Sequence, residues 1–236
     1  HTSFKCDWSS DVCSSDLSIL ASVDDADGNN ATCAAAQRGD AETLEGLITA
    51  GEDLNVANHA GKTPLMLAVC HGHPTLVQRL AIARARLDIV DNDGNTALMH
   101  AASCDQIDTI RCLINANAPL DIANVRGQTA LDIALAQGYS DVALLLAGVP
   151  DEEGNNALCR AAHTGSDALL KQLLTAKASL NVRNHAGFTP LMLAVCRGDP
   201  VIVSALIEAG ASLDDHSLHG YSAAALATQH DHAEVL

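Results

Sequence analysis

The stretch Asn58-His-Ala-Gly-Lys-Thr-Pro-Leu-Met-Leu-Ala-Val-Cys-His-Gly72 decides how the rest of the chain reads. A threonine hydroxyl can accept from the free N–H groups that open a helix, and proline loses no hydrogen bond at the first helical position, so Thr63-Pro64 predicts a helix start. Leu65, Ala68 and Val69 fall on one face of that helix, and Gly72 supplies the left-handed conformation that ends it. A second helix begins at Pro74 and carries Leu76, Val77 and Leu80. The stretch therefore predicts two short antiparallel helices entered through a polar turn.

The same wording returns as Asn184-His-Ala-Gly-Phe-Thr-Pro-Leu-Met-Leu-Ala-Val-Cys-Arg-Gly198, with a second helix expected from Pro200 behind an Asp199 cap. Between and around these copies, Gly28, Gly61, Gly94 and Gly127 are 33 residues apart, Gly154 follows after 27, and Gly187 and Gly220 resume the step of 33. Asn30, Thr96, Thr129, Asn156 and Ser222 stand where Thr63 and Thr189 cap the quoted copies, so every unit has a competent helix start. A lone pair of short helices leaves one apolar side open, which makes stacking of neighbours compulsory. Small residues such as Ala68, Ala101, Ala134, Ala161 and Ala194 allow the close approach that stacking needs.

A shift of 126 residues superposes Thr63–Cys70 on Thr189–Cys196 with every residue identical, Cys33 on Cys159, and Leu54-Asn55-Val56 on Leu180-Asn181-Val182. A four-unit block has been duplicated. The 27-residue step, Ala147-Gly-Val-Pro-Asp-Glu-Glu-Gly154, is its seam and predicts a shortened loop. Between copies the positions Thr63 to Cys70, read as buried, are unchanged while Lys62 becomes Phe188, His71 becomes Arg197, Gln37 becomes His163 and Arg38 becomes Thr164.

Period, Thr-Pro-Leu caps and helix-ending glycines together resemble the ankyrin repeat over about residues 25–236. The resemblance implies an all-α solenoid of stacked helix-turn-helix repeats with β-turn or hairpin loops: repeats 1–4 in 25–149, and repeats 5–7 in 150–236, continuous with the first block and with the last repeat truncated. It also implies a non-catalytic scaffold that grips a protein partner on a concave face. Carried over position by position, that face comprises His59, Lys62, His71, Asn92, Asn95, Arg126, Gln128, His163, His185, Phe188, Arg197 and Tyr221. Two departures stand out. The family's Thr-Pro-Leu-His histidine is replaced by Cys33, Met66, Met99, Asp132, Cys159, Met192 and Ala225, which predicts looser loops. The usual turn glycine is replaced by Arg84, Asn117 and Lys177, at a cost of about 1 kcal/mol each, least for Asn117.

Residues 1–17 share no periodicity with the rest, and Asp7–Leu17 resembles one translated frame of a sequencing adapter. They are read as a non-native, disordered leader, 18–24 as a linker, and the chain as a fragment without its true N-terminus or a C-terminal cap.

Composition narrows the function. With Lys+Arg 13 against Asp+Glu 29, the net charge of −16 gives no attraction to phosphate backbones or anionic lipid, and aromatics at 2% are too few for base-stacking platforms. Neither a nucleic-acid partner nor a membrane is expected. The cysteines outside the leader contain no Cys-x-x-Cys, and the duplication separates like cysteines into different units, so they read as small apolar residues in a reducing, cytoplasmic compartment. His71-Gly-His73, His216 with His219, and His230-Asp-His232 lack the partners of a tetrahedral metal shell, and neither metal nor cofactor is expected. Acidic runs at Asp24-Asp25 and Asp151-Glu152-Glu153 read as solvated loops. No nucleophile elbow, phosphate loop or paired catalytic carboxylates occur, so no enzyme activity or small-molecule substrate is expected of this stretch. The reading is a monomeric interaction module; the alternatives are a regulatory or targeting region of a larger enzyme or secreted effector and, third, a metal- or pH-responsive protein using its histidines.

Overall fold

A computed structural model describes residues 24–230 together with His232 and Glu234. The leader, most of the linker and the chain end lie outside the described residues. Among those described there are thirteen helices and one isolated antiparallel bridge, His216 with Ser222. The helices alternate as first and second members of successive hairpins: α1 (Ala31–Arg38), α2 (Ala41–Ala50), α3 (Pro64–Cys70), α4 (Pro74–Ile82), α5 (Ala97–Ser103), α6 (Ile107–Asn115), α7 (Ala130–Gln137), α8 (Ser140–Ala147), α9 (Ala157–Thr164), α10 (Asp167–Thr175), α11 (Pro190–Arg197), α12 (Pro200–Glu208) and α13 (Ala223–Gln229).

Every first helix begins where its cap predicts. The side-chain oxygens of Asn30, Thr63, Thr96, Thr129, Asn156, Thr189 and Ser222 accept a backbone N–H three residues on, at 2.8–3.4 Å. At Thr129 the cap is reciprocal, because Asp132 accepts from both the backbone N–H and the hydroxyl of Thr129 at 2.9 and 2.7 Å. Asp199 caps α12 as expected. Arg84, Asn117 and Lys177 adopt left-handed backbone at φ 61°, 60° and 63°, and Asp105 joins them at 54° where other repeats have a helix-ending glycine.

The chain falls into two compact units that divide after Gln137, at the turn following α7. In the first, α1, α3, α5 and α7 pack side by side in one layer, and α2, α4 and α6 form the layer behind them. In the second, α9, α11 and α13 form the first layer and α8, α10 and α12 the second. Leu44, Leu65, Leu76, Leu98 and Ile110 are sealed between the layers of the first unit, and Leu158, Leu170, Leu191 and Leu206 between those of the second. Burying each such side chain contributes roughly 1.5–3 kcal/mol. At the seam only Gly148, Val149 and Pro150 separate α8 from the next turn, and Gly148 keeps right-handed backbone, so the loop is shortened as expected.

The turns correct one expectation about the acidic residues. The side chain three residues before each marker glycine builds the turn: Asp25, Asn58, Asp91, Asn124, Asp151 and Asn184 each accept two backbone N–H groups with one oxygen, at 2.8–3.1 Å. Asp25 and Asp151 are therefore turn-forming, not merely solvated. Burial works against their charge, but these bonds outweigh it and hold both below the usual carboxylate range. Turn is also stitched to turn by backbone bonds from His59 to Asp27, Asn92 to Ala60 and Val125 to Asp93 in the first unit, and from His185 to Glu153 and Leu218 to Ala186 in the second.

Candidate partner-binding surface

The turn tips and the C-terminal ends of the first helices carry all the side chains carried over from the family. None of them is buried: His59, His71, Asn92, Arg126, His163, His185, Arg197 and Tyr221 are exposed, and Lys62, Asn95, Gln128 and Phe188 half-buried.

Some are tied more than sequence suggests. Asn92 donates to the His59 carbonyl at 2.9 Å, and Asn95 accepts from Asn124 at 3.1 Å, so both help join successive turns. Arg197 donates to the His163 carbonyl at 3.2 Å and lies 3.8 Å from Asp199. Lys62 points its ammonium at Cys70, Nζ to Sγ 3.6 Å.

In the first unit, Asn95, Arg126 and Gln128 line one cleft of about 250 Å³ with His100, Ser103 and Val125. His59, Lys62, His71 and Asn92 lie outside it. Val125 is 73% exposed at the tip of its turn, and Leu218 occupies the equivalent tip in the second unit at 74%. Neither was predicted. The available signal was an apolar residue directly after the turn-forming Asn124 or Ser217, where other turns have His59, Asn92 or His185.

The histidines and cysteines sort by neighbourhood. His73 and His232 each bond a backbone carbonyl of the preceding hairpin, Gln37 and Val195, at 3.2 and 3.1 Å. Among the described residues no group of three or more His, Cys, Asp or Glu side chains could hold a metal ion. Cys33 and Cys159 are buried, and burial pushes their thiols up to about 12 and about 11. Cys104 is exposed, unlike the apolar filler expected of it, while Cys70, Cys112 and Cys196 are half-buried. Among the described residues no helix is long and apolar enough to cross a membrane.

A stack of capped helical hairpins with a stitched row of turns defines a helical repeat protein whose surface chemistry is carried at turn tips. Family comparison makes this specific: the model of ankyrin repeats, three copies long, matches residues 12–91, 71–157 and 158–236. The chain belongs to the ankyrin repeat family. Over 102 residues it is 35% identical to a putative ankyrin repeat-containing protein of Treponema pallidum (strain Nichols), a match covering 38% of this chain and 34% of that protein. The chain thus spans about a third of the length of that relative. The crystal structure of the ankyrin repeat domain of Bcl-3, described as a unique member of the IkappaB protein family, is similar at a TM-score of 0.52 and 25% identity, over 89% of this chain and 98% of that one. Ankyrin repeats are protein–protein interaction modules, and the family is generally non-catalytic.

Proposed function

We propose that the protein is a non-catalytic scaffold that grips partner proteins through its turn tips and first-helix ends, with a separate contact surface on each unit. The observation that carries this reading is the pattern of change between the duplicated copies. Thr63–Cys70 and Thr189–Cys196 are identical, and their buried residues match except at Leu67, whose counterpart Leu193 is half-buried, whereas the accessible Lys62 and His71 have become Phe188 and Arg197. Where this helix is retained and the accessible residues flanking it change, the two copies present surfaces of different chemistry.

On the first unit the contact centres on the cleft between the third and fourth turns, where Val125 supplies an apolar anchor beside Arg126, Asn95 and Gln128. On the second, Phe188, Tyr221 and Leu218 are the anchors, with His163, His185 and Arg197 around them. Aromatic and arginine anchors surrounded by weaker contacts are the usual energetic centre of an interface. The net charge of −16 favours partners with basic or mixed surfaces.

The test is alanine substitution at Phe188 and Arg197 in the second unit and at Val125 and Arg126 in the first. Proteins that crosslink to the unaltered chain should be lost selectively with each pair, while thermal unfolding stays nearly unchanged. Retention of every crosslinked protein by both pairs, or a fall in stability matching the loss of binding, would overturn the reading. The match to a third of a longer relative supports a second reading, in which these repeats target or regulate a larger polypeptide; recovery of the complete open reading frame decides it.

A further inference from the structure

Cys70 is the last residue of α3, half-buried beneath the turn that precedes its own helix. Two ionisable groups from separate elements act on it, and a third stands behind one of them. Lys62, from that turn, brings Nζ to 3.6 Å of Sγ. His100, from α5 in the next hairpin, acts on the thiol more strongly than Lys62 in favouring its ionised form. Behind His100, Asp91 places Oδ2 2.8 Å from Nε2 while its other oxygen is fixed by the backbone N–H groups of Asp93 and Asn95. The Asp91 side chain is only 3% exposed and that of His100 16%, so the pair is held in one geometry away from bulk water.

The duplication provides an internal control. Cys196 closes the same Pro-Leu-Met-Leu-Ala-Val-Cys run, one residue before its helix ends at Arg197, and is also half-buried, yet a shift of 126 residues replaces Lys62 by Phe188, His100 by Leu226 and Asp91 by Ser217. Burial would raise both thiols. At Cys196 it does, whereas at Cys70 the hydrogen bond and charge of His100, with Lys62, outweigh burial and bring the thiol below its ordinary value.

We propose that Cys70 is a modification site, a thiol that Lys62 and His100, positioned by Asp91, make selectively reactive toward small peroxides. Thiolate rather than thiol is the nucleophile, and a cationic neighbourhood is what favours it. The Cys70 sulfur attacks one peroxide oxygen, the O–O bond breaks as the S–O bond forms, and sulfur is oxidised by two electrons to a sulfenic acid while the peroxide is reduced. The departing hydroxide takes a proton from the His100 imidazolium and leaves as water. Reduction by an external thiol restores the site. Asp91 acts only by holding His100.

The experiment treats the full chain with hydrogen peroxide, traps sulfenic acid with dimedone, and follows the Cys70 and Cys196 peptides separately by mass spectrometry, since their flanking residues differ. Cys70 should be labelled roughly tenfold faster than Cys196 or more. Lys62→Phe and His100→Leu, which copy the second unit, should each slow Cys70 several-fold and leave Cys196 unchanged. The pH profile of Cys70 labelling should lie below that of Cys196, reporting on Lys62 and His100, with Asp91 behind His100, as the ionisable groups around the thiol. Lys62→Phe is at an accessible position where the duplicate already carries Phe188, so it keeps the test valid if His100→Leu does not fold. Equal labelling of the two cysteines in the unaltered chain, or an unchanged Cys70 rate in Lys62→Phe, would overturn the proposal.

Discussion

Pro64–Cys70 and Pro190–Cys196 share one sequence, one kind of cap and the same burial at all but one position, Leu67 being buried and Leu193 half-buried, and end in different chemistry. Met66 and Met192 receive their caps from Thr63 and Thr189 at 3.4 and 3.3 Å, and Leu65, Met66, Ala68 and Val69 are as completely buried as Leu191, Met192, Ala194 and Val195. The cysteine that closes each shared run, however, meets what its neighbours bring. Cys70 meets a lysine and a carboxylate-backed histidine, and its thiol falls below the ordinary value; Cys196 lies where the corresponding residues are Phe188, Leu226 and Ser217, and its thiol rises. The helix sets where the sulfur is. Groups one turn and one repeat away set how it behaves, because charge and hydrogen bonding act across elements that stacking brings within a few ångströms.

Breaking the core tests the equivalence most severely. Leu65→Ala and Leu191→Ala should each cost about 2–5 kcal/mol, because both leave a cavity in a sealed layer, and urea midpoints for the two variants measure it. If one loss is small while the other is large, identical sequence and burial do not imply identical packing, and the comparison fails at its base.

A smaller effect sharpens a difference between the copies. Thr32 in α1 is 1% exposed and its hydroxyl has no hydrogen-bond partner, whereas the duplicate carries Leu158 at 0%. Thr32→Val removes an unsatisfied buried group at nearly constant volume and should stabilise the protein by about 1 kcal/mol in denaturant titration. A loss of stability would mean that the hydroxyl is satisfied in solution.

The smallest expected effect is in pH dependence. Burial opposes charge on His100, but the interactions with Cys70 and Asp91 outweigh it and raise the imidazole above its ordinary value of 6.5. The charged histidine therefore contributes stability fully below pH 6.5, and that contribution is lost as pH rises through the higher folded value. His100→Leu, which copies Leu226, should flatten stability between these two values when thermal unfolding is followed against pH.

The helix starts were legible because capping is local: Thr63, Thr96 and Thr189 act on N–H groups three residues away. The left-handed positions Arg84, Asn117 and Lys177 were legible from the repeat, and Asp105 could have been, as the residue in place of a helix-ending glycine. The turn-forming series Asp25, Asn58, Asp91, Asn124, Asp151 and Asn184 was equally visible in spacing, yet a carboxylate in a loop reads as solvated until its backbone donors are placed around it. At the candidate surface, the side chains carried over from the family pattern are all accessible. It could not say that Arg197 is engaged with His163, or that Asn95, Arg126 and Gln128 share a cleft with Val125 while His59, Lys62, His71 and Asn92 stand apart from it.

Repeat length, helix limits and the composition of the core follow from amino-acid order alone, since they depend on apolar spacing and on hydrogen bonds between residues a few positions apart. The environment of Cys70, the burial of Asp91 and the grouping of surface side chains arise only when one hairpin packs on the next, because the groups concerned lie a repeat apart along the chain and interact through distances that no spacing rule contains.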